Sequence, residues 1–128
     1  MYRFVDHTSE LELELEAGSP EEALVEAMRA FAELTGPGDG ERVERRVEVS
    51  AGDLPALLGA WLDELLFLAD TEGLVPEEAE LAVEGTRASG VLRARRGEPR
   101  PLVKAVTLHR LELRRENGRW RGRVVLDV

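Results

Sequence analysis

Few residues in this chain could do chemistry, and the most telling are carboxylates. Trp120 to Val128 alternates as a β-segment and finishes on Asp127 and Val128. An ordered strand ending there holds an acidic side chain, the last main-chain carbonyls and the α-carboxylate close together. Those are oxygen donors, the ligands a hard cation takes. Near the start, Asp6-His7-Thr8-Ser9-Glu10 interrupts an apolar opening, and Glu10 leads into a strict alternation of Glu and Leu up to Glu16. If the two strands are neighbours, Glu10 and Asp127 approach on one side of a sheet. Paired carboxylates repel unless a cation or proton intervenes. With His7 and His109 the only histidines and no cysteine, such a cation is expected to be calcium or magnesium rather than zinc.

The remaining polar residues give weaker signals. Asp6-His7-Thr8 reads as a cap or turn, since Asp and Thr side chains bond nearby backbone. A hydrolase built on Asp6, His7 and Glu10 would lack a serine or cysteine nucleophile at a telling spacing. His109 is expected on a core face as a hydrogen-bonded structural residue. Lys104 is the single lysine among 17 basic residues. It is either a solvated strand start or a position where a compact ammonium does what a guanidinium cannot.

The strands that must position these groups are legible from period and punctuation. Glu10, Glu12, Glu14 and Glu16 face one way and Leu11, Leu13 and Leu15 the other, a half-buried strand despite the helical propensity of both residue types. Ser19-Pro20-Glu21-Glu22 starts a helix with a cap, a first-turn proline and a capping-box acid. Its apolar stripe is Leu24, Ala27, Met28, Phe31 and Leu34, and Gly36 to Gly40 ends it. Val43, Val47 and Val49 mark a strand. A second helix runs from near Asp53 to about Thr71, stopped by Gly73, and its wide leucine-rich face suggests a central position. Glu80–Glu84 and Val91–Arg95 are expected to form a hairpin across residues 85–90.

Residues 104–128 form the clearest hairpin, with Asn117-Gly118 as a two-residue turn. Counting back from Glu116 opposite Arg119 places Leu113 opposite Gly122, Leu111 opposite Val124, His109 opposite Leu126 and Leu108 opposite Asp127. Trp120, Val124 and Leu126 then face the core. Arg110, Arg114, Arg119, Arg121, Arg123 and Asp127 face water. Those arginines together with Arg115 could track a phosphate backbone, which makes an RNA-binding module an alternative function. Glu112 and Glu116 interleave with them, and aromatics are 5% of the chain, so no base-stacking platform is visible.

At 128 residues the chain is expected to be one domain, 1–128, with a real core. The absence of cysteine excludes disulfides and thiolate chemistry. No leader-like or membrane-spanning apolar run is present, so a cytoplasmic protein with no membrane partner is expected; DNA is not expected as a partner either. The charge is uneven. Residues 1–64 carry 16 acids and 5 bases, whereas 87–128 carry 12 bases and 4 acids. Arginine dominance suits a GC-rich genome or a thermophile.

Four segments together resemble the archease family: Asp6-His7-Thr8-Ser9-Glu10, the run Trp61 to Asp70, Lys104-Ala105-Val106-Thr107-Leu108-His109, and Leu126-Asp127-Val128. The match runs end to end and in order. The resemblance implies an α+β fold in which a mixed, largely antiparallel sheet carries two main helices on one face. It implies no enzymatic activity, but a cofactor role toward an RtcB-type RNA ligase, promoting its guanylylation and turnover in tRNA splicing or RNA repair. RNA would then be met indirectly, through the ligase. It further implies a metal site, usually calcium, on Glu10, Asp127 and Val128, with Asp6, His7, Lys104 and His109 supporting the site or docking the partner. Glu10 stands where the family pattern has Asp, Ser9 where it has Ala, and Leu108 where it has Tyr. A calcium shell tolerates the extra methylene of Glu10 better than magnesium's stricter octahedron does.

Overall fold

A computed structural model of the chain describes residues 1–6 and 9–128. Seven strands and two helices follow in the order β1 (Tyr2–Asp6), β2 (Glu10–Ala17), α1 (Pro20–Thr35), β3 (Arg42–Ser50), α2 (Leu54–Glu72), β4 (Leu74–Glu84), β5 (Arg87–Arg96), β6 (Ala105–Glu116) and β7 (Arg119–Asp127). They form two sheets rather than one. The first has order β1-β2-β7-β6 and the second β3-β5-β4, and every pairing is antiparallel. The α+β class and the two helices are as the sequence indicated.

Both helices start where their caps dictate. The Ser19 hydroxyl accepts from the Glu22 amide at 3.1 Å, and the Glu22 carboxylate accepts from the Gly18 amide at 2.6 Å. Asp53 caps α2 by accepting from the Ala56 amide at 2.8 Å, and Gly73 closes it in the left-handed region at φ 66°. One core joins both helices to the inner face of each sheet. Leu13, Leu24, Phe31, Leu58, Trp61, Leu65, Leu92 and Leu126 are all 1% exposed or less. Trp61 lies at the centre, as the wide apolar face of α2 requires. Its indole N–H donates to the Leu24 carbonyl at 2.8 Å, tying α2 to α1.

Two sequence expectations need correction. The β4–β5 hairpin turns on Gly85 and Thr86 alone, so the strands are longer than 80–84 and 91–95. Gly90 belongs to β5, where a Cβ would stand 1.8 Å from the Glu80 carbonyl oxygen. Its role is close backbone approach, not turning. The closing hairpin keeps the counted register from Glu116↔Arg119 to Glu112↔Arg123 and then shifts. Beyond the shift Val106 faces Leu126 and Ala105 faces Asp127. Leu108 and His109 therefore do not lie opposite Asp127 and Leu126. Between Glu112 and Thr107 β6 has four residues where β7 has only Val124; Leu111 packs against the core and Leu108–Arg110 are exposed, so these three form the insertion.

Candidate functional site

Glu10 and Asp127 are direct partners across β2 and β7. Opposed residues of an antiparallel pair share a face, and this is the outer face, away from the helices. The next pair along it is Glu12 opposite Val125, and then Glu14 opposite Arg123. On the other side of β7, Ala105 stands beside Asp127 and Thr107 beside Val125. The main chain closes around Asp127: the Lys104 amide donates to the Asp127 carbonyl at 2.7 Å, and the Val128 amide donates to the Ser9 carbonyl at 3.4 Å.

The Leu108–Arg110 insertion folds over this row. Arg110 sits at φ 58°, left-handed for a residue with a Cβ. Its Nη2 reaches Glu10 Oε2 at 3.7 Å. Since β7 separates β6 from β2, the Arg110 arm crosses β7 on the outer face. Beneath it Val125 is fully buried and Glu12 nearly so, although both belong to the face the Glu–Leu alternation marks as wet. Arg123 approaches Glu12 at 3.9 Å. Thr107 Oγ1 is buried with no hydrogen-bond partner among the described residues.

The sequence-predicted residues divide accordingly. Glu10, Asp127, Val128 and Lys104 come together at one tip of the first sheet. Asp6 pairs with Leu11, which puts it on the opposite face from Glu10. His7 lies outside the described residues. His109 is exposed on the insertion, not on the core face, because the three extra residues lift it off the ladder. Arg110 and the buried Glu12 were not expected at the site. One signal could have found the insertion: Val106 and Leu108 share a parity that Leu111 and Leu113 do not, and an unbroken strand cannot put Val106 and Leu111 on one face.

The arginines near the turn are occupied by acids. Arg114 meets Glu116 at 2.9 Å, Arg119 meets Glu16 at 3.2 Å, Arg121 meets Glu116 at 3.5 Å and Arg123 meets Glu112 at 3.7 Å. A face neutralised in this way is a poor phosphate track. Among the described residues no group of three or more His, Cys, Asp or Glu is placed to hold a metal ion. The oxygen donors at the tip are the Glu10 and Asp127 carboxylates and main-chain carbonyls, with the orphaned Thr107 hydroxyl one pair along. That set is chemically suited to a hard, flexible-shelled cation.

Comparison with known proteins identifies the fold and the family. The Archease protein family (MTH1598/TM1083) matches residues 2–128. The archease of Methanopyrus kandleri is 35% identical over 135 residues, covering 97% of this chain and 96% of that protein. The archease of Archaeoglobus fulgidus is 33% identical over 135 residues, covering 99% and 98%. The solution structure of Methanobacterium thermoautotrophicum protein 1598 superposes with a TM-score of 0.76 at 31% identity, covering 99% of this chain and 98% of the other. The crystal structure of an archease, possible chaperone, from Thermotoga maritima shares the fold, with a TM-score of 0.64 at 24% identity and coverage of 100% and 98%. The chain belongs to the archease family.

Proposed function

We propose that this protein is a non-catalytic activator of an RtcB-type RNA ligase, promoting guanylylation and turnover of that enzyme. The observation that carries the reading is the direct pairing of Glu10 with Asp127 at the tip of the first sheet, in a chain matched to the family over residues 2–128. An acidic tip of this shape is suited to dock at the mouth of a partner's active site. It acts by preferring the partner conformation competent for nucleotidyl transfer, as any ligand that shifts an equilibrium must. Glu10, Asp127 and Val128 would hold a divalent cation, calcium by preference, which would neutralise the paired carboxylates. Lys104 stands at the same tip.

The test is GTP-dependent guanylylation of the cognate ligase with and without this protein. Stimulation is expected, and no change in rate or turnover would defeat the reading. Asp127→Ala, and separately deletion of Val128, should remove stimulation by about tenfold or more while far-ultraviolet circular dichroism is unchanged. Full activity from both variants would remove the tip from the mechanism. Weak affinity for RNA alone is expected, because Arg114, Arg119, Arg121 and Arg123 already have carboxylate partners.

A further inference from the structure

We propose that Arg110 is a built-in, exchangeable counter-cation for the Glu10–Asp127 pair, which a divalent cation displaces, so that cation binding at the tip frees the Leu108–Arg110 insertion. This rests on the cation reading of the tip given above. The first support is the contact itself. At 3.7 Å, Arg110 and Glu10 are an ion pair without a hydrogen bond, and their side chains are 46% and 41% exposed. Exposed pairs of this kind are weakly held and screened by salt.

The second support is placement. The Arg110 arm comes from β6, passes over β7 and ends on Glu10 of β2, the cross-strand partner of Asp127, so it occupies space at the Glu10 carboxylate. A guanidinium and a dication cannot share that space without strong repulsion. Binding of one must weaken binding of the other, and the coupling is reciprocal.

The third support is the backbone. The insertion lacks ladder pairing between Thr107 and Glu112, and Arg110 holds an unfavourable left-handed φ of 58°. A segment with few main-chain anchors is steadied by even a weak side-chain contact, and Glu10 supplies one. Releasing it loosens the segment that carries Leu108, 77% exposed, and the exposed His109. Cation loading would thereby alter an apolar contact point beside the acidic tip.

The experiment is calcium titration calorimetry on the full chain and on R110A and R110K, with amide hydrogen exchange across residues 107–112. R110A should bind calcium about two- to fivefold more tightly, the range expected on losing one exposed competing charge, and R110K should stay near the parent. Calcium should speed exchange at 108–111 in the parent, while R110A exchanges fast there already. Should R110A fold poorly, R110G suits the left-handed backbone and removes the same charge. Equal or weaker calcium affinity in the charge-removed variant overturns the proposal and leaves the cation site standing. An absence of calcium binding by parent and variants alike overturns the cation site and this proposal together.

Discussion

At the scale of single residues, Trp61 is the side chain on which the interior turns. It is wholly buried, and its N–H finds the Leu24 carbonyl of the neighbouring helix. Trp61→Phe should keep the fold but lose that bond and leave a small void, lowering stability by about 1–3 kcal/mol in chemical denaturation. An unchanged midpoint would show the bond to be dispensable. The site residues were unequally legible. Glu10 and Asp127 could be assigned to a wet face because period 2 fixes a strand's sidedness. Arg110 was also placed on the wet side, but its reach to Glu10 could not be read, because that depends on a local insertion that no glycine or proline marks. His109 was misplaced for the same reason: register counting from the Asn117-Gly118 turn is sound only while the ladder is unbroken.

At the scale of elements, the same contrast holds between the two long hairpins. The β6–β7 turn was read correctly from Asn117-Gly118, and Asn117 takes positive φ there, at 52°. The β4–β5 turn was read too wide because two glycines, Gly85 and Gly90, both look like turn residues. Only Gly85 turns the chain, at φ 60°. Gly90 lets β5 pass β4 closely, so Gly90→Ala should push the strands apart and cost about 3 kcal/mol or more, read as a fall in thermal midpoint. A Gly85→Asn control, which tolerates positive φ, should cost far less. Division into two sheets was not legible, because alternation shows which face of a strand is buried and not which strands share a ladder. The helices show the reverse: capping and stripe are local, and both were placed from sequence alone.

At the scale of the whole molecule, the uneven charge of the sequence is resolved by pairing between distant segments. Arg87 joins Glu48 at 2.9 Å, Arg93 meets Glu44 at 3.1 Å and Arg3 meets Glu14 at 2.6 Å. A hydrogen bond from Arg3 holds Glu14 below the ordinary carboxylate range, Arg87 does so for Glu48, and Arg45 for Glu72. At Glu26 burial pushes the value up, but bonds from the Met1 amino group and Arg29 outweigh it and leave it lowered. Each of these groups takes up protons more readily unfolded than folded. Their stabilisation is therefore complete above the unfolded carboxylate range, about pH 4–5, and is lost as pH falls through the depressed folded values. Thermal midpoints should be level from about pH 7 to 5 and drop below about pH 4, as followed by circular dichroism. A midpoint unchanged at pH 3 would show that the pairs contribute nothing. Among the described residues no helix is long and apolar enough to cross a membrane.

The strand order β1-β2-β7-β6 also bears on how the protein is born. Strand β7 is the last element of the sequence, yet it fills the middle of its sheet. On the ribosome, β2 must wait with an open edge, its leucines already oriented, until residues 119–127 emerge and slot in beside it. The acidic tip cannot exist before that moment, since Glu10 and Asp127 are nearly a full chain apart. A polypeptide stalled before β7 would present an unpaired, leucine-lined edge to its neighbours, a form prone to clumping and a natural substrate for chaperones. Emergence of residues 119–127 and assembly of the acidic tip are thus the same event.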